Sequence, residues 1–258
     1  TYLGAALALS GSIVEPLPVG PNLAVQLASS FASIAAPAQV GGVALKGRFL
    51  QRRGTDPAVA VAAIGLNTVA AFLVHIAILL AFVLWAGSGD LSKISLPSGA
   101  TIGLVAAGVA VLLAVVAALP VGRRFLRETV FPAVRRSAQG IADVARRPIR
   151  LGSLLGGSAL ITLAYAGALI ASVDAFHGDL PVSAVAIVYL IGAVVQSVSP
   201  TPGGLGPAEA AYIGGLTAIG LSSERAVAAV LLFRMLTFWL PVIPGWVAMT
   251  WLQRNEAL

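Results

Sequence analysis

The sequence predicts an all-α integral membrane protein, a polytopic helical bundle with inverted repeats and two re-entrant (broken) helical hairpins. Three observations carry that prediction. Hydrophobic residues make up 58% of the 258 positions, charged residues 10%, and the mean hydropathy is +0.95. A soluble domain carries roughly 25% charge, so this chain lacks the means to cover itself with a water-facing surface. Segments rich in proline and glycine also interrupt the apolar runs, at 37–42 and, more strongly, at 197–220. Finally, the helices after the two interruptions read alike.

In chain order, an apolar run at 1–14 ends at Glu15-Pro16. It opens at Thr1 and falls short of the roughly 20 residues a spanning helix needs. The chain is therefore expected to be one domain, 1–258, truncated at its N-terminus, and a signal-peptide pattern is absent from it. Segments 22–35 and 43–50 flank Pro37, Gly41 and Gly42. Each arm is too short for a core of about 30 Å, so a dipping hairpin is expected rather than two spans. Thr55-Asp56-Pro57 supplies a cap and a first-turn proline for a long helix to about residue 85. A polar loop is expected at 87–97 and a returning helix at 101–119.

Residues 123–150 alternate arginines with apolar residues, a pattern for a cytoplasmic amphipathic connector or for a clamp on anionic lipid. Further helices are expected at 151–173, 182–195 and 208–219. The last, capped by Ser222-Ser223-Glu224, runs to residue 251 through Pro241 and Pro244. Between 195 and 208 stand Pro200, Pro202, Pro207, Gly203, Gly204 and Gly206, which no continuous helix passes. Broken backbone at membrane depth is tolerated where it is buried in protein or lines a wet cavity.

The net charge of +6 is a matter of topology rather than of nucleic-acid binding. Of 16 basic residues, 12 lie in two segments: Lys46, Arg48, Arg52 and Arg53, and the eight arginines of 123–150. This is the clustering of the positive-inside rule, and the interleaved aromatics of a nucleic-acid binder are lacking. With both clusters inside, three crossings separate the two hairpins, so the second copy enters from the opposite side. AVAVAAIGLN at 58–67 and AVAAVLLFRM at 226–235 are the matching helices. Inverted repeats with discontinuous helices meeting near the midplane are a transporter layout.

Chemistry inside the membrane narrows to a few groups. Arg234 lies about 15 Å down its helix, where an unpaired arginine costs at least a few kcal/mol. Two readings stand: a structural ion pair with Glu209, or a phosphate site for which the planar guanidinium is suited. The amides of Gly203, Gly204 and Gly206 are candidate additional anion donors. Lys46 and Arg48 are expected at the cytoplasmic mouth, unless they serve orientation alone. Asn67 and His75, eight residues apart, share a helix face. Asp174 and His177 have the spacing of a metal pair but no further ligands, so neither a metal nor a cofactor is expected. Motifs for serine hydrolases, zinc peptidases and P-loop enzymes are absent, and no catalytic residue is assigned.

The element Pro200-Thr201-Pro202-Gly203-Gly204-Leu205-Gly206 with Glu209, followed by LLFRMLTFWLP at 231–241, resembles the lysylphosphatidylglycerol synthase transmembrane, or flippase-like, domain family, also found in multiple peptide resistance factors. Pro37, Gly41 and Gly42 with Lys46 resemble its first-half element, with lysine where the family commonly has arginine. The resemblance implies a multi-pass lipid translocator of the bacterial plasma membrane. Its substrate would be an anionic or aminoacylated phospholipid or a polyprenyl-phosphate-linked lipid. Arg234, Glu209, the three glycines, Thr201, Lys46 and Arg48 would then contact that substrate. A homo-oligomer and an upstream domain of the same polypeptide are further partners the reading admits. The alternative is a membrane anchor that presents lipid to an enzyme domain outside this chain without moving it.

Overall fold

The computed structural model describes residues 1–35, 40–91, 147–255 and 258. The described residues are helical with no strand: α1 (Tyr2–Ser12), α2 (Val19–Ala35), α3 (Val40–Arg52), α4 (Pro57–Leu91), α5 (Pro148–Asp174), α6 (Val182–Val198), α7 (Pro207–Ala218), α8 (Ser223–Arg234) and α9 (Val242–Arg254). Three stretches are long and apolar enough to cross a membrane: Pro57–Ala86, Pro148–Asp174 and Ser223–Arg254. The expected helix at 101–119, the connector over 123–146 and Pro37 lie outside the described residues.

Local chemistry explains most boundaries. Asp56 Oδ1 accepts hydrogen bonds from the Ala58 and Val59 amides at 2.8 and 3.4 Å, which caps α4 as expected. Ser222 occupies the equivalent position before α8 but makes no side-chain cap bond. The expected loop at 87–97 begins late, because α4 continues through Leu91. No proline stands between 86 and 91, and propagation from a long apolar helix outweighs the local cost of two glycines. α5 starts at Pro148, whose missing N–H is harmless in a first turn.

The expected single helix from 222 to 251 is divided. A π turn at Met235–Trp239 follows α8, with the Leu240 amide bonded to the Met235 carbonyl at 2.8 Å. Pro241 has no N–H to continue the regular ladder, and the widened turn accommodates its ring. The first break also departs from expectation at its C-terminal side: Gly41 and Gly42 lie within α3, which begins at Val40. Gly42 serves packing instead: an added Cβ would come within 2.7 Å of Ser33 Oγ and 3.2 Å of the Ser29 carbonyl on α2.

Packing gathers into two cores. One joins α1, α2, α3, the start of α4 and α9 around Leu9, Val25, Phe49, Ala63 and Leu252. The other joins α5 to α8 around Leu169, Leu190, Tyr212, Leu216 and Phe233, with Ile78 and Phe82 of α4 against it. α4 and the α8–α9 segment therefore run through both. α1 and α5 touch backbone to backbone, since a Cβ on Gly157 would lie 2.5 Å from the Ala8 amide nitrogen. Such small-residue contacts are how helices associate where lipid offers no hydrophobic contrast. Arg150 ties the same pair together by donating to the Ile13 carbonyl at 2.8 Å and to the Val14 carbonyl.

Candidate functional site

The site is assembled from the break between α6 and α7. Ser199 and Thr201 each precede a proline, whose ring drives the residue before it out of the helical region; both are extended, with ψ of 133° and 147°. Their hydroxyls bond to one another at 2.9 Å, and Thr201 Oγ1 closes the loop onto the Leu205 carbonyl at 2.9 Å. A single 3₁₀ turn, Pro202–Gly204, fills the gap, and Pro207 then begins α7. Pro200 and Pro202 thus end one helix, while Pro207 starts the next.

Gly203 is the hinge of the arrangement. Its φ is +62°, and an added Cβ would lie 2.1 Å from the Phe238 ring. That ring comes from the π turn and sits beneath Arg234, with the guanidinium carbon 4.5 Å from its centroid. Arg234, only 3% exposed, donates through Nε to Glu209 Oε1 at 2.5 Å and through Nη2 to the Gly203 carbonyl at 3.0 Å. Its Nη1 makes no hydrogen bond to a described residue.

Glu209 serves two purposes. Its Oε1 neutralises Arg234, and its Oε2 accepts the Gly206 amide at 2.6 Å, capping the N-terminus of α7. A buried cation is tolerated when paired and hydrogen-bonded in this way. The structural reading of the Arg234–Glu209 pair is therefore correct as geometry. The expectation of free glycine amides is not met in full. The Gly206 amide is held by Glu209, and the Gly204 amide bonds to the Thr201 carbonyl at 3.0 Å.

Arg234 also borders a cavity of about 330 Å³ between the two cores, at the meeting of α2, α4, α5, α6, α8 and the π turn. Its wall mixes Arg234 with hydroxyls of Ser30, Ser33, Thr162 and Tyr165, the Gln196 amide and the His75 ring. His75 Nε2 is 3.0 Å from the Leu190 carbonyl, and Gln196 Oε1 accepts from the Tyr212 hydroxyl at 3.1 Å. Such a wall suits a polar, negatively charged group that has left water, with Arg234 as the charged contact. Sequence reasoning named Arg234, Gly203 and His75 but passed over Gln196, Tyr165 and the α2 serines. A lone amide inside the apolar run 182–195 and its continuation was the available signal for Gln196.

The other expected residues lie elsewhere. Thr201 and Gly204 support the turn without lining the cavity, and Gly206 is exposed on its outer side. Asn67 shares the α4 face of His75, but is not part of the wall; its buried Oδ1 has no partner among the described residues. Lys46 and Arg48 are on α3, away from the cavity, and Arg48 lines a separate groove between α3 and α4. Asp174 and His177 sit at the end of α5, and no group of three metal-binding side chains occurs among the described residues.

Comparison with known proteins returned no matching curated protein and no matching solved structure. The family described as lysylphosphatidylglycerol synthase TM region matches residues 4–245. That span takes in the second core, the 199–206 break and the Arg234 cavity, and the chain belongs to that family.

Proposed function

We propose that this membrane domain translocates lipid, moving the headgroup of an anionic or aminoacylated phospholipid, or of a polyprenyl-phosphate-linked lipid, across the bacterial plasma membrane. One observation carries the reading: a buried arginine stands in the wall of a polar cavity, held by a single carboxylate that an incoming phosphate can replace. The family membership supports lipid handling, and the broken α6–α7 hairpin supports a transporter layout. In this reading the α2–α3 and α6–α7 hairpins dip from opposite sides of the membrane. The acyl chains stay in lipid, the headgroup passes along the cavity wall, and Glu209 releases Arg234 as the phosphate arrives. In this reading translocation calls on no catalytic group and no cofactor.

Reconstitution in vesicles bearing a headgroup-labelled phosphatidylglycerol tests it. Wild-type protein should expose inner-leaflet label to an external quencher, and Arg234→Gln should abolish this while the protein still inserts. Equal exposure with empty vesicles would sink the translocation reading and leave the anchoring alternative.

A further inference from the structure

The groove between α3 and α4 stands apart from the Arg234 cavity. It encloses about 580 Å³ and is walled on α3 by Ala44, Gly47, Arg48, Gln51 and Arg52, with Val61 and Ile64 of α4 opposite. The α3 positions fall at 44, 47, 48, 51 and 52, one continuous face of a helix. No described residue pairs with Arg48 or Arg52; the ion pair seen among the described residues is Arg234–Glu209. The groove is graded along its length. Ala44 lies about 12 Å before Arg52 by helix rise, so an apolar end passes into a doubly cationic end beside the turn to α4. Arg52 ends α3 five residues before Pro57, where the apolar span of α4 begins, and Val43 and Val61 on the groove's wall are exposed.

We propose that this groove is a second, superficial lipid site that holds an anionic phospholipid. Arg48 and Arg52 receive the phosphate at the membrane interface, and an acyl chain lies over Ala44, Val61 and Ile64. Charge complementarity selects an anion. The apolar wall, continuous with the lipid-facing surface of a spanning helix, selects an amphiphile over a soluble phosphate or an acidic peptide. Gly47 keeps the floor open, since an added Cβ there would meet only Ile64 Cδ1, at 3.7 Å. The inference needs the membrane setting alone and holds whether or not the domain moves lipid.

The test is retention of phosphatidylglycerol by the intact protein in nanodiscs of phosphatidylcholine with increasing phosphatidylglycerol, read by native mass spectrometry. Wild type should keep a tightly held phosphatidylglycerol that Arg48→Gln with Arg52→Gln binds roughly 30-fold more weakly, about five- to sixfold per guanidinium. Gly47→Leu keeps both charges but fills the groove, and should lose the same lipid. Arg234→Gln should leave it in place, which separates this site from the cavity. Unchanged retention in the double arginine variant overturns the proposal. So does loss on Arg234→Gln alone, or displacement by soluble glycerol 3-phosphate as readily as by lipid.

Discussion

The α2–α3 and α6–α7 pairs are two solutions to the same problem, a short helix turning back on itself. In α2–α3 the arms meet through small residues and hydroxyls: Gly42 lies against Ser29 and Ser33, and Ser29 Oγ donates to the Gly42 carbonyl at 3.4 Å. In α6–α7 the arms are separated by a fully buried Tyr212, stacked with Tyr189 and edge-on to Phe233. The turn of this second pair is locked from outside by an arginine on α8 and a phenylalanine in the π turn. Both pairs border the same cavity, through Ser30 and Ser33 on one side and Gln196 and Gly203 on the other. In the second pair the acid does two structural tasks at once, neutralising the buried arginine and capping α7.

That contrast can be broken most severely at the charge pair. Glu209→Ala leaves Arg234 buried and uncompensated and should cost about 3 to 5 kcal/mol, seen as a large loss of thermal stability in detergent. Replacing both members with apolar residues, Glu209→Leu with Arg234→Met, should recover most of that stability without recovering lipid movement. Recovery of both would show the pair to be structural only. Gly203→Ala comes next. It combines a strained positive φ with a collision against Phe238 and should cost about 3 kcal/mol.

On the α2–α3 side, Gly42→Val pushes the arms apart and should cost about 2 kcal/mol, with headgroup exposure reduced in proportion to folded protein. The smallest effect sharpens the comparison of helix starts. Asp56→Ala should cost about 1 kcal/mol, because its carboxylate caps α4. Ser222→Ala should change little, because its hydroxyl caps nothing.

Much of the architecture is legible in the residues alone. The prolines before and within 199–207 announce a break because their effect on the preceding residue is local. Arg234 is conspicuous because a cation inside an apolar run demands a partner, and Glu209 is the acid near enough in the second hairpin. The glycines are harder to read. Gly41 and Gly42 look like Gly203 and Gly204, yet the first two are helical and one of them serves close packing. Composition does not distinguish a glycine needed for positive φ from one needed for the absence of a side chain. The cavity wall is harder still, since Ser30, Tyr165 and Gln196 are far apart in the chain and ordinary in their local runs.

Sequence alone determined that this chain belongs in a membrane, that its helix breaks at 199–207 and that Arg234 needs a partner, because hydropathy, proline sterics and the desolvation of charge act locally. The tertiary structure decided which carboxyl oxygen meets the arginine, which of Lys46, Arg48 and Arg234 share a site, and that one arginine faces a cavity while another lines a separate groove. Those outcomes depend on how α4 and the α8–α9 segment pass through both cores, and helix crossing is set by side-chain packing between segments that no short stretch of sequence contains.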